Sequence, residues 1–154
     1  MRPRSLAALA VLTLAACARN IPNTDIRDTA DNRAIIDVVD AYRKAFDTRN
    51  VEGVMALVST TYYDDSGTLD ASDDVDYSNL PQILKDTFAR LSQVRLEFGI
   101  TSIEVNGDKA SADLFYDAKY RVSAGKGEVA KRDTDLQRLK FRKEGSAWKI
   151  VTGL

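Results

Sequence analysis

Histidine is missing altogether from these 154 residues, and cysteine occurs once, at Cys17. Without histidine the chain has no side chain that ordinarily exchanges a proton near neutral pH, and it lacks the commonest zinc ligand. A single thiol excludes an internal disulfide framework and a thiolate metal cluster. Nowhere do roughly 20 consecutive apolar residues occur, the length a membrane-crossing helix requires. Lysine and arginine form no basic helix or stripe and the net charge is −1, so nucleic acid is not an expected partner. Proton chemistry in this chain would have to use a carboxylate or a tyrosine.

What is present begins with a targeting segment. Arg2 and Arg4 precede an apolar run over residues 6–16, broken only by Thr13. That run has the length of a signal-peptide core. It ends in Leu14-Ala15-Ala16-Cys17, which resembles the bacterial lipobox, in which the cysteine becomes the lipidated first residue of the mature protein. The expected organisation is therefore a signal peptide over 1–16, a lipidated N-terminus and tether over 17–30, and one domain over 31–154. Residues 18–30 are polar, contain Pro22 and lack periodic apolar positions, as a spacer would. The lipobox implies two or three acyl chains and a firm membrane anchor. Residue 18 is alanine rather than aspartate, and in a host with an outer membrane the resemblance to such lipoproteins implies sorting to that membrane, facing the periplasm.

The domain reads as three helices followed by strands. Asp31 or Asn32 can cap a first helix that aligns Ile35, Val38, Val39, Tyr42 and Phe46. Asn50 can cap a second, "VEGVMALVS", and Ser78 a third, in which Leu80, Ile83, Leu84, Phe88 and Leu91 share a side and Pro81 suits the first turn. Between them lies an Asp-rich loop to Tyr77. The period then changes to two. "VRLEFGI" alternates, Asn106-Gly107 signals a hairpin turn, and Ala110, Ala112, Leu114, Tyr116, Ala118, Tyr120 and Val122 share one face of the returning strand. "SAGKGEVAK" reads as a flexible connection, "DTDLQRLKFRK" as a third long strand, and "AWKIVTGL" as the last. The fold class is α+β, a helical layer covering the apolar face of an antiparallel sheet. The expected core is Ile35, Val39, Tyr42, Phe46, Leu84, Phe88, Leu96, Phe98, Leu114, Tyr116, Leu139, Phe141, Trp148 and Ile150.

The stretch "VVDAYRKAFDTRNVEGVMALVSTTYYDD" resembles the opening of the nuclear-transport-factor-2-like superfamily, which includes SnoaL-like proteins and ketosteroid isomerases. The shared marks are a tyrosine on the first helix, a polar turn before a short second helix, and acids just beyond. "FRKEGSAWKIVTGL" resembles that fold's last hairpin. The resemblance implies a cone formed by the helices and a curved antiparallel sheet, with a pocket lined by Tyr42, Tyr116 and Gln137. The isomerases use a helix tyrosine as oxyanion donor, an aspartate after the second helix as base, and a protonated aspartate on a late strand as second donor. Tyr42 matches the first. Asp64 or Asp65 falls near the second. Gln137 or Arg138 stands at the third, where neither can be that acid.

Asp64 and Asp65 are expected in a solvated loop, with little effect on stability when either becomes asparagine. Asp64, Asp65, Asp70, Asp73, Asp74 and Asp76 lie close together, but lack the ordered spacing of a calcium loop. No metal or cofactor is expected. Three readings follow. The first is a non-catalytic domain that binds a small apolar ligand or a protein partner at the membrane to which Cys17 anchors it. The second is a SnoaL-type isomerase, cyclase or dehydratase using Tyr42 and an aspartate. The third is a structural module that forms a homodimer.

Overall fold

A stripe of apolar residues at helical spacing makes the first helix, α1 (Ala30–Asp47), which buries Ile35, Val39 and Tyr42. The computed structural model describes residues 19–68, 70–124 and 127–154. Cys17 and the segment read as a signal peptide lie outside them. Thr29 caps α1, its hydroxyl accepting from Asn32 N at 3.1 Å. Neither Asp31 nor Asn32 is the cap. Asp31 Oδ1 instead accepts from Lys143 Nζ at 2.7 Å and Trp148 Nε1 at 3.0 Å, tying α1 to the end of the sheet. Residues 19–29, within the stretch read as a tether, form a closed turn. Asp28 N donates to Arg19 O at 2.6 Å, Ile21 N to Ile26 O at 2.8 Å, and Ile26 is buried.

Asn50 caps α2 (Val51–Met55) as expected, accepting from Gly53 N at 2.9 Å. The helix stops early because the chain straightens to meet the last strand. Ser59 N donates to Ile150 O at 2.8 Å and Ile150 N to Leu57 O at 2.9 Å. Two short strands, β1 (Tyr63–Asp64) and β2 (Val75–Asp76), pair antiparallel within the segment read as a loop. Helix α3 (Leu80–Arg90) starts after Asn79, not Ser78, and buries Leu80, Leu84 and Phe88.

The main sheet is an antiparallel meander of β3 (Leu91–Asn106), β4 (Lys109–Ala124), β5 (Gly127–Glu144) and β6 (Ala147–Thr152). Gly107, at φ +62°, opens the β3–β4 turn one residue later than the Asn-Gly pair suggested. Much of the connection read as flexible is ladder: Val122 pairs with Val129 and Ser123 with Glu128. Register shifts at Leu91/Gln93 and Ile100/Ser102 in β3 bend the sheet, and its concave face receives the three helices. Asp47 Oδ1 accepts from Leu96 N at 2.6 Å, occupying an edge-strand donor that would otherwise be open for pairing.

Of the expected core, Ile35, Val39, Tyr42, Leu84, Phe88, Leu96, Leu114, Leu139, Phe141, Trp148 and Ile150 are buried. Phe46, Phe98 and Tyr116 are only half-buried, because the helical layer stops short of the far end of the long β4–β5 hairpin.

The Asp31 junction carries a pH dependence. Its hydrogen bond from Lys143, then that from Trp148, holds the Asp31 carboxyl below the usual carboxylate range. A group depressed in the folded state stabilises above its unfolded pKa, and that contribution disappears as pH falls through the folded value. In acid titrations followed by circular dichroism, Asp31→Asn is expected to flatten the loss of stability below about pH 4. An unchanged acid limb would contradict this.

Candidate functional site

Tyr42 points from α1 into the concave face. Its ring stacks on Phe98 with centroids 5.7 Å apart and meets Phe46 edge-on at 5.9 Å, while Phe46 meets Phe88 at 5.0 Å. Aromatic side chains therefore fill the part of the cone beneath Tyr42. Burial pushes the Tyr42 hydroxyl upward, and the neighbouring hydroxyls of Tyr62 and Tyr116 add to the shift. Burial likewise pushes Tyr62 up to about 12. Among the described residues the Tyr42 hydroxyl has no hydrogen-bond partner, yet no buried side-chain polar atom is left both sealed and unpaired. The Tyr42 oxygen is thus not completely sealed, and its hydroxyl keeps a donor that no described residue accepts.

Tyr116, half-buried, lies near the Tyr42 hydroxyl. Its hydroxyl donates to Asp133 Oδ2 at 3.3 Å, and burial, then the charge of Asp133, raises it. The β4–β5 register pairs Leu114 with Gln137, Tyr116 with Asp135 and Ala118 with Asp133. The concave face of β5 therefore presents two acids that the sequence reading did not single out. The signal was available: counting back by twos from Phe141 and Leu139 reaches Gln137, Asp135 and Asp133 on one face.

Gln137 does not point free into a pocket. Its Nε2 donates to Gly153 O at 2.5 Å. Asp64 is held in the same seam and is not a solvated loop carboxylate. Its Oδ2 accepts from Gly153 N at 2.6 Å and Thr152 Oγ1 at 3.1 Å, and its Oδ1 from Ser66 N at 3.0 Å. The cause is the β1–β2 pair, which lays β1 along the end of β6. Gly153 is at φ +100°, and a Cβ there would collide with the Arg138 carbonyl, so this seam needs glycine. Asp65, by contrast, is exposed, and among the described residues its carboxylate accepts only from Gly67 N in a local turn. Asp70 and Asp76 also serve turns, accepting from Ser72 N and Ser78 N, while Asp73 and Asp74 accept from the Thr68 and Tyr63 hydroxyls. Among the described residues no acidic cluster is arranged to hold a metal ion.

Tyr42, Tyr62 and Tyr116 thus converge, with Asp133 beside the last, while Asp64 and Gln137 are committed to backbone groups. To accept a substrate proton, Asp64 would have to give up donors that close the C-terminal seam. Beyond the aromatic plug the concave face opens. One cavity of about 640 Å³ is lined by Arg43, Asp47, Val94, Arg95, Glu97 and Phe98. It adjoins another of about 760 Å³, whose walls include Val94, Tyr120, Arg49, Arg95 and Lys131, with Asp47 as the only acid lining it. Cations outnumber acids on the walls of the larger cavity, whereas in the smaller one Arg43 and Arg95 are paired with Asp47 and Glu97.

No protein-family model matches the chain, and no curated protein matches its sequence. Solved structures do match. A conserved protein from Planctomyces limnophilus superposes with a TM-score of 0.69 at 14% identity, covering 80% of this chain and 93% of that one. A candidate dehydratase of the NTF2-like family from Streptomyces avermitilis gives 0.65 at 12%, covering 80% and 93%. A ketosteroid isomerase-like protein from Erwinia carotovora atroseptica gives 0.66 at 15%, covering 81% and 94%. The chain has the nuclear-transport-factor-2-like fold, three helices on a curved antiparallel sheet.

Proposed function

We propose that this is a lipid-anchored protein of the bacterial cell envelope whose domain binds an amphipathic ligand without transforming it. The observation that carries the binding reading is the open groove. Val94, Phe98 and Tyr120 offer an apolar floor, and Arg49 and Lys131 bring positive charge to its wall, while Arg95 is neutralised by Glu97 at 3.0 Å. Such a surface suits an apolar body with an anionic head. Among the described residues no ion pair engages Lys131, whereas Lys119 and Arg132 share Asp117 and Arg121 meets Glu128. Dodecanoate, titrated calorimetrically, is expected to bind, and Lys131→Glu to weaken it about tenfold, the loss of one charge-assisted contact. Absence of binding by the unaltered chain would overturn the reading.

The anchor rests on the lipobox-like Leu14-Ala15-Ala16-Cys17. Replacing Cys17 by alanine should leave an uncleaved or soluble form. An N-terminal peptide without lipid, in protein isolated from its native membrane, would end that part of the proposal.

Two other readings each have an observation behind them. The unpartnered Tyr42 hydroxyl near Tyr62 and Tyr116 favours an enzyme, by analogy with the isomerase-like and dehydratase neighbours. That reading requires turnover of a β,γ-unsaturated ketone to fall in Tyr42→Phe. A homodimer is favoured by the outer face of the sheet, where Phe115 and Leu136 are cross-strand neighbours exposed at 46% and 75%. Ion pairs Asp113–Arg138 and Asp117–Arg132 flank them, so the patch is of a kind that can meet its own copy across a two-fold axis. Leu136→Glu is then expected to convert a dimer to a monomer in sedimentation equilibrium, with stability within about 0.5 kcal/mol of the original at this exposed site. A sedimenting mass that is the same for both proteins would remove the dimer.

A further inference from the structure

The chain is fixed to the domain from residue 19 onward. Asp28 N holds Arg19 O, Asn20 bridges Arg27, and Asn32 Nδ2 donates to Arg27 O at 2.8 Å. Ile26 is 5% exposed and shares a cavity with Ile103 and Val105, at the end of β3. Only two residue steps separate Arg19 from Cys17, a reach of at most about 7 Å. A lipid at Cys17 would therefore leave no long spacer. The end of the β3–β4 hairpin would have to lie against the headgroups.

That end carries a basic surface. On the outer face of the same strands a cavity of about 420 Å³ is lined by Lys109, Lys140 and Arg142, with Glu104 the only acid on its wall. Lys109 and Arg142 are cross-strand neighbours, as are Ser111 and Lys140. All three cations are exposed. The other acids nearby are Asp25, Asp108 and Glu144, the last linked to Arg142 through Ser59 and Thr61, and the further cations are Arg19, Arg27 and Lys149, the cross-strand neighbour of Arg142, so cations outnumber acids at this pole. Asp28 and Asp31 are already paired with Arg33 and Lys143.

We propose that Lys109, Lys140 and Arg142 seat on anionic phospholipid headgroups and fix the domain's orientation on its membrane, an inference that rests on the anchor at Cys17. Each cation near such a surface contributes about fivefold in binding. Because Cys17 is the only cysteine, the chain beginning there can be coupled through its thiol to maleimide-bearing lipid. Vesicles of phosphatidylcholine alone are compared with vesicles that also contain phosphatidylglycerol, and lysine acetylation rates are read by mass spectrometry. Lys109 and Lys140 are expected to react about fivefold or more slowly on the anionic vesicles. Lys131, at the opposite end of the sheet, should react equally on both, and molar salt should erase the difference. Equal rates at Lys109 and Lys140 on both vesicles, or equal slowing at Lys131, would overturn the proposal. Chemical coupling makes the result independent of whether cells lipidate Cys17, so the anchor and the docking surface fail by different measurements.

Discussion

Replacing Trp148 with alanine is expected to lower the free energy of unfolding by about 3–5 kcal/mol in urea denaturation. The indole is 3% exposed and sits in the core cluster with Phe141 and Ile150. Removal opens a cavity where β6, β5 and α1 meet. It also strips Asp31 of one donor and Lys143 of the ring over which its ammonium lies, 5.4 Å from the centroid. Domains of this size have roughly 5–15 kcal/mol in total, so the loss is a large part of the whole. Trp148→Phe separates the two contributions. It keeps most of the packing and loses the Nε1 bond, so it should cost about 1–2 kcal/mol. Near-equal losses for the two variants would mean that the hydrogen bond, not the buried area, dominates the site.

The second large effect is expected at Asp64. Its carboxylate accepts from Gly153 N, Thr152 Oγ1 and Ser66 N. Asp64→Ala should cost about 2–3 kcal/mol, since hydrogen bonds to a charged group are the stronger kind and the Gly153 amide would be left half-buried without its acceptor. Asparagine keeps one oxygen that can accept from Gly153 N, so Asp64→Asn should cost about 1 kcal/mol. Asp65→Asn should change stability by less than about 0.5 kcal/mol. Identical, negligible losses at both positions would return Asp64 to the solvated loop in which its sequence neighbourhood suggested it belonged.

That contrast marks where the sequence is legible. Hydrophobic period alone locates α1, α3 and the four long strands, because burial on one face imposes the same spacing wherever it occurs. Trp148, Phe141 and Leu139 are buried as the alternation requires. Asp64 is different. Nothing within "YYDDSG" distinguishes its two aspartates; what does is a β1–β2 pair and a strand end more than 80 residues away. The resemblance puts Gln137 in the pocket, but the backbone carbonyl of Gly153, just past β6, holds its side-chain amide instead. Asp133 and Asp135 were within reach of the periodicity argument. Both lie inside the strand read from "DTDLQRLKFRK", but the resemblance points to Gln137 and Arg138 at the late-strand position and gives these two acids no role. The end of the helical layer, which leaves Phe98 and Tyr116 half-open, is set by relative lengths of helix and hairpin, a tertiary property.

The order β3-β4-β5-β6 has a kinetic consequence. Every pairing in that sheet joins strands adjacent in sequence, so each loop to be closed is short and the hairpins can form early. The parallel bridge from residue 58 to Ile150, and the Asp64–Gly153 bond, instead close loops of some 90 residues and bear the larger entropic penalty. These contacts should form after the rate-limiting step. Asp64→Ala is then expected to accelerate unfolding while leaving the refolding rate nearly unchanged, whereas Leu114→Ala, at the centre of the meander, should slow refolding.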